Sequence, residues 1–569
     1  MMILGSIVAA VLALQAPPQT PPQTGTGVIQ GRVLRVGGTE PIADAQVFLY
    51  RGTTSMGGGG GQRGGGPRGA GASVVSAITD DAGGFVFKDL APGRYTLTAQ
   101  HRRFSGPFIS SPDPTVGVAV ANGQTTEAMI AMTPTSVIRG RVRDSSGQFA
   151  SNVQVEALVI SYTNGLPFLM PTIVKASDDR GEYRLYGIPP GDYYIGATPR
   201  PPSAIAAMAG GDRSAKTFFP NAIDISQATK VTIHGGEDIQ NVDIAIQTPQ
   251  TYKISGTVSS TVPVAAARPS AQGVFAVIQQ NQNATVQLVL NSRDTTRPEG
   301  GNSGGTSSSI SAASPSGPFE IANVLPGSYD LVAILNGNSD APSIARTVVD
   351  VRNQDVGGIL MTIRPSFQAK GVVTVDGGAP KPNVVRMALT PADALRRLGV
   401  ALPADIAADG SFNIQGCPDG AFRLSVAPMG GDLYVEDMRQ GGSSIYDTGF
   451  EIRGRNPDSI QVIVKSGAGT YDGTLQDASG KAVTGGIVAL VPATRRQNDA
   501  LYFMGRSDST GAFSIRGIAP GDYKMFAWDV MPPGANTNAA FLEKYEERGI
   551  AVTIAPSAKV TSKVTTVPH

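Results

Sequence analysis

Short runs of alternating apolar and polar residues fill the chain, and they recur on a fixed plan. Tyr95, Leu97 and Ala99 alternate with their neighbours, as do Tyr193, Ile195 and Ala197. The alternation restarts at Tyr329 with Leu331 and Ala333, at Phe422 with Leu424 and Val426, and at Tyr523 with Met525 and Ala527. A period of two marks a strand with one buried face. Ten residues before each of these aromatics stands another, namely Phe85, Tyr183, Phe319, Phe412 and Phe513. Five residues after that first aromatic comes Leu90, Ile188, Val324, Cys417 or Ile518. The spacing is kept in all five copies, and it assigns these aromatics and the cysteine to cores.

Turn residues frame each copy. Asp80, Asp178 and Asp508 stand three residues before Gly83, Gly181 and Gly511. That pattern predicts a tight turn in which glycine takes a positive φ. Pro92-Gly93, Pro190-Gly191, Pro326-Gly327 and Pro520-Gly521 fit the centre of a type II turn; the fourth copy has Pro418-Asp419-Gly420. Upstream lies a G-x-V element, clearest in Gly31-Arg32-Val33, Gly140-Arg141-Val142 and Gly256-Thr257-Val258. Weaker copies hold Gly371-Val372-Val373 and Gly473-Thr474-Leu475. Each copy offers about seven short strands in roughly 100 residues, the signature of a small sandwich.

The predicted fold class is therefore all-β, a tandem array of five antiparallel seven-stranded sandwiches of prealbumin-like or Ig-like type. The expected boundaries are 27–133, 136–248, 251–365, 367–465 and 468–566. Low-complexity insertions are expected at 56–71 and 293–316, as surface loops. Linkers such as Thr133-Pro134-Thr135 and Thr248-Pro249-Gln250 are short, which predicts abutting modules in a rod of limited flexibility.

The G-x-V opening, the D-x-x-G-x-F turn and the P-G-x-Y turn resemble carboxypeptidase regulatory-like domains. The resemblance is strongest in copies 1, 2 and 5, and the repeats span nearly all of the chain after residue 26. It implies a transthyretin-like module, grouped with carbohydrate-binding-like folds, that stabilises or binds and that in some proteins is attached to a zinc carboxypeptidase. The shared motif concerns turns and core, so it implies no catalytic residue.

Composition narrows the function. The chain has 569 residues, a net charge of +1 and only 16% charged residues. A nucleic-acid binder needs a basic footprint, so nucleic acid is not an expected partner. Residues 1–16 are an apolar run of signal-peptide length without a basic start, and 17–26 read as a Pro-rich spacer. No later stretch has the roughly 20 apolar residues that span a membrane. The expected location is secreted, periplasmic or cell envelope, of bacterial type. Cys417 is the single cysteine, which rules out an intramolecular disulfide.

Candidate chemistry is sparse. His234-Gly235-Gly236-Glu237 has the spacing of a zinc ligand pair, yet the other histidines are His101 and His569 alone. Catalytic zinc takes three protein ligands, so His234 reads as a turn residue. Asp80-Asp81 and Asp178-Asp179 read as turn caps. No nucleophile elbow or phosphate loop is present. No cofactor is expected. Trp528 is the one candidate ligand platform; the competing reading packs it under a short helix at Phe541–Glu546. The function read from sequence is a non-enzymatic secreted interaction protein, with carbohydrate or peptide binding on extracellular polymers as the alternative. A protein or an extracellular polysaccharide is the expected partner.

Overall fold

The computed structural model describes residues 25–36, 39–51, 75–106, 115–163, 165–200, 216–262, 285–294, 316–336, 343–380, 384–392, 401–429, 432–494, 496–508 and 510–567. The apolar N-terminal run, the 56–71 insertion and most of the 293–316 insertion lie outside these. Two compact units emerge. One holds the described residues of 1–34, 40–99 and 116–130; the other holds those of 35–39, 100–115 and 131–569.

Among the described residues the strands form ten sheets, which fall into five consecutive pairs along the chain. The first sheet of each pair is built on an opening strand: Gly27–Arg35, Ser136–Arg143, Tyr252–Ser260, Phe367–Val375 and Gly469–Gln476. Each pairs antiparallel with the strand that carries the first aromatic. The second sheet is built on the strand that starts at the second aromatic's turn, such as Gly191–Pro199 or Gly521–Trp528. The chain is thus a tandem array of β-sandwich modules. One pairing is not antiparallel. In modules 2–5 the closing strand runs parallel to the opening strand, as Lys559–Thr565 does beside Gly469–Gln476. Strand direction is invisible to a period-two pattern, because the pattern is the same read either way.

All eleven frame residues are buried: Phe85, Tyr95, Tyr183, Tyr193, Phe319, Tyr329, Phe412, Cys417, Phe422, Phe513 and Tyr523. Register explains why the opening glycine recurs. Gly31, Gly140, Gly256, Gly371 and Gly473 lie directly opposite Phe85, Tyr183, Phe319, Phe412 and Phe513. A Cβ on any of these glycines would stand 1.9–2.2 Å from a carbonyl oxygen of the closing segment. In four modules the opposing ring also lies within 3.0 Å of that point. The glycine leaves the space into which ring and closing strand settle.

The turn at Pro-Gly differs from expectation. Gly93, Gly191, Gly420 and Gly521 have φ between 144 and 158, whereas a type II turn needs about +80 at that position. The bend comes four residues earlier. Asp89, Gly187, Asn323, Gly416 and Gly517 each take a left-handed φ of 58–77, next to a register shift in the ladder. That is a β-bulge, which re-aims the strand. It lets the chain leave one sheet and enter the other.

A tyrosine hydroxyl then pins the corner. Tyr95, Tyr193, Tyr329 and Tyr523 donate to the carbonyls of Ala91, Pro189, Leu325 and Ala519 at 2.7–2.8 Å. Phe422 has no hydroxyl to offer. Removing one oxygen in Tyr193→Phe leaves the ring in place and orphans the buried Pro189 carbonyl. The expected cost is about 1–2 kcal/mol, read as a lowered midpoint in urea at unchanged slope.

Candidate functional site

Trp528 ends the strand Gly521–Trp528, five residues past Tyr523 and so on the opposite face. Its side chain is 0% exposed. Phe526 stacks on it at 5.6 Å and 11°, and Phe541 and Tyr545 close it in at 5.7 and 5.6 Å. Ile487, Ala489 and Val491 complete this outer cluster, while Val488 and Leu490 face the inner core. A sugar platform needs a free ring face, and Trp528 has none. The covering element is the helix Ala539–Glu543, whose first turn is capped by the Asn538 side chain accepting from the Phe541 amide at 2.7 Å. The Trp528 Nε1 has no hydrogen-bond partner among the described residues.

The same cluster receives a residue from module 2. The hairpin of Val153–Thr163 and Leu166–Ala176 reaches module 5 with its tip. The Tyr162 amide donates to the Pro533 carbonyl at 2.8 Å, and the Gly165 amide to Thr537 Oγ1 at 3.1 Å. Asn538 Nδ2 donates to the Gly165 carbonyl at 2.8 Å. The Tyr162 and Phe541 rings are 6.5 Å apart. Modules 2 and 5 therefore touch, which a straight succession of modules does not allow. The expected rod is corrected within this unit. Residues some 372 positions apart make the contact, and no spacing in the sequence announces it.

The other candidates serve the fold. Asp80, Asp178 and Asp508 each accept two backbone amides within their turns, at 2.6–3.0 Å. In module 4 Ala407 takes that place, and Asp409 instead accepts from the Ser411 amide and hydroxyl. His234 Nδ1 lies 3.1 Å from Glu237 Oε1, and Glu237 Oε2 accepts from the His234 amide at 2.9 Å. The pair closes its own exposed turn. Among the described residues no three of His, Cys, Asp and Glu gather in a group that could hold a metal.

Cys417 is buried, and burial pushes its thiol up to about 11. A nucleophilic thiol needs the opposite shift. A shallow groove with Arg346, Arg364 and Arg453 on its wall also holds Asp419 and Glu451. Arg453 is already paired with Glu451 and Arg346 with Asp330.

Comparison with known proteins places one segment. Residues 478–538 match the family model of polysaccharide lyase family 4, domain II. The match runs from the turn after the opening strand of module 5 into the segment that covers Trp528. No curated protein sequence matches the chain. Among solved structures, similarity extends to a minor pilin of Streptococcus agalactiae. It is 16% identical, with 42% of this chain and 99% of the pilin covered and a TM-score of 0.21. A shaft pilin of Lactobacillus rhamnosus GG is 12% identical over 39% of this chain and 98% of its own, at a TM-score of 0.19. The major pilin subunit of Bacillus cereus is 10% identical over 76% and 98%, at 0.14. Among the described residues no helix is long and apolar enough to cross a membrane.

Proposed function

We propose that this chain is a non-enzymatic interaction protein of the bacterial cell exterior, built from five carboxypeptidase regulatory-like modules. The modules are assigned to 27–133, 136–248, 251–365, 367–465 and 468–566. One observation carries the reading. The recurring residues are consumed in building each module: the ring lies on its glycine, the slot residue fills the core, and the aspartates, in the three modules that have them, cap turns. The tyrosine hydroxyl where present is spent on its corner. None is left facing solvent with unused chemistry. Function then falls to the positions at which modules differ. The apolar run at 1–16 supports export.

Binding to an extracellular polymer is the second reading, and the likeness of 478–538 to a polysaccharide lyase domain favours it. The test is to pass the exported chain over glycan and peptide arrays and to assay it against peptidase, glycosidase and lyase substrates. Retention without turnover is expected. Turnover that survives repurification and saturates with substrate would overturn the proposal.

A further inference from the structure

Module 2 carries a surface that the other modules lack. Along its opening strand Ile138 and Val142 point into the core, so Arg139, Arg141 and Arg143 all point out. Residues two apart on a strand are about 7 Å apart, which makes a row of three guanidinium groups. The neighbouring strand adds Arg184 directly opposite Arg139, and Tyr186 opposite Val137. Phe149 lies beside the row, with Arg143 at 4.4 Å and Arg141 at 5.5 Å from its ring centre. Tyr186 sits with Lys175 at 4.5 Å and Arg184 at 5.6 Å. Phe149 and Tyr186 remain 45% and 49% exposed.

The shared frame does not require these cations. The positions of Arg139, Arg141 and Arg143 hold Ser255, Thr257 and Ser259 in module 3, and Lys370, Val372 and Thr374 in module 4. In module 5 they hold Asp472, Thr474 and Gln476. Arg184 is replaced by Glu320, Asn413 and Ser514. Module 1 keeps Arg32 at the position of Arg141 but holds Gln30, Leu34 and Val86 at those of Arg139, Arg143 and Arg184, so the full row belongs to module 2 alone in an otherwise near-neutral chain.

We propose that this face of module 2 binds a carboxylated polysaccharide, an inference that rests on the interaction reading above and names its site. Arginine presents a planar fork that grips a carboxylate through two parallel bonds. Arg143, Arg184 and Lys175 make no ion pair among the described residues; Arg143 Nη1 donates to the Gly147 carbonyl and Lys175 Nζ to the Tyr186 hydroxyl, both at 3.0 Å, and their remaining N–H groups can turn to a carboxylate. Glu182, Asp238 and Asp243 stand among the cations, the first two paired with Arg141 and Arg139 at 2.7 and 2.8 Å and the third holding the Arg141 amide at 2.8 Å. Carboxylates so placed accept hydroxyls of a sugar. Single-stranded nucleic acid binds by stacking bases on free aromatic faces, and here a cation already sits over each ring.

The experiment is a titration of the intact chain with polygalacturonate, with neutral dextran and single-stranded DNA as parallel probes, at low and moderate salt. The parent is expected to bind polygalacturonate, more weakly as salt rises, and to bind dextran not at all. The double variant Arg139→Ser, Arg184→Asn installs residues found in modules 3 and 4. It is expected to weaken binding at least about tenfold at an unchanged melting temperature. Absent binding, equal binding by the double variant, or a preference for DNA or dextran overturns the proposal. Retention of a protein or neutral glycan on the arrays would in that case leave the broader interaction reading standing.

Discussion

Replacing Trp528 by alanine is expected to lower the stability of module 5 by about 3–5 kcal/mol, the cost of deleting a large buried aromatic. The ring is the hub of the outer cluster: Phe526, Phe541 and Tyr545 all contact it. Ile487, Ala489 and Val491 lie beneath the same cover, which is why the strand Ile487–Pro492 is buried on both faces. Without the indole, Phe541 and Leu542 have less to pack on, and the segment from Pro533 to Asn538 that holds the module 2 hairpin loosens. The variant should therefore melt earlier and expose the 529–549 segment to protease. A Trp528→Ala chain that melts like the parent but loses glycan retention would mean the ring is a binding platform after all.

The second large effect is expected at the opening glycine. In Gly473→Ala the new methyl would stand 2.2 Å from the Ser562 carbonyl oxygen and 2.8 Å from Phe513 Cζ. Neither neighbour can withdraw cheaply. Ser562 lies mid-ladder in the parallel pairing of Lys559–Thr565 with Gly469–Gln476, and Phe513 is buried in the inner core. Overpacking of this kind costs about 1–3 kcal/mol, and more where backbone must move. Gly317→Ala is the control. It lies in a strand, has no atom of the described residues within 4 Å of its would-be methyl and no left-handed φ. Its cost should stay within about 0.5 kcal/mol.

The frame was legible because it is periodic. Aromatic spacing, the slot residue and the turn aspartates are one-dimensional signals, and the residues that carry them are buried side chains and amide-accepting carboxylates in the structure. The opening glycine and the first aromatic were both visible as motifs, yet their direct opposition depends on register, which neither motif contains. The bulge could have been found. Asp89, Gly187, Asn323, Gly416 and Gly517 are the residue types that tolerate a left-handed backbone, all at the position before the slot. The Pro-Gly pair drew the turn to itself and hid them.

Trp528 shows a different limit. The sequence put it on the outer face correctly, and the unbroken apolar run Ile487-Val488-Ala489-Leu490-Val491 was a sign that this face is covered too. The contact of Tyr162 and Gly165 with Pro533, Thr537 and Asn538 had no such sign, because it joins two loops with no shared pattern. The row of Arg139, Arg141 and Arg143 lies inside the opening motif, at the positions that the shared Gly and Val leave unspecified.

The claim that recurring residues build each module independently of what it binds is tested most directly by hydrogen exchange on the intact chain. Five variants are compared, with alanine at Gly31, Gly140, Gly256, Gly371 or Gly473 in turn. Amide protection is expected to fall across both sheets of the substituted module and much less elsewhere. Protection in the substituted modules equal to that of the parent would contradict the account.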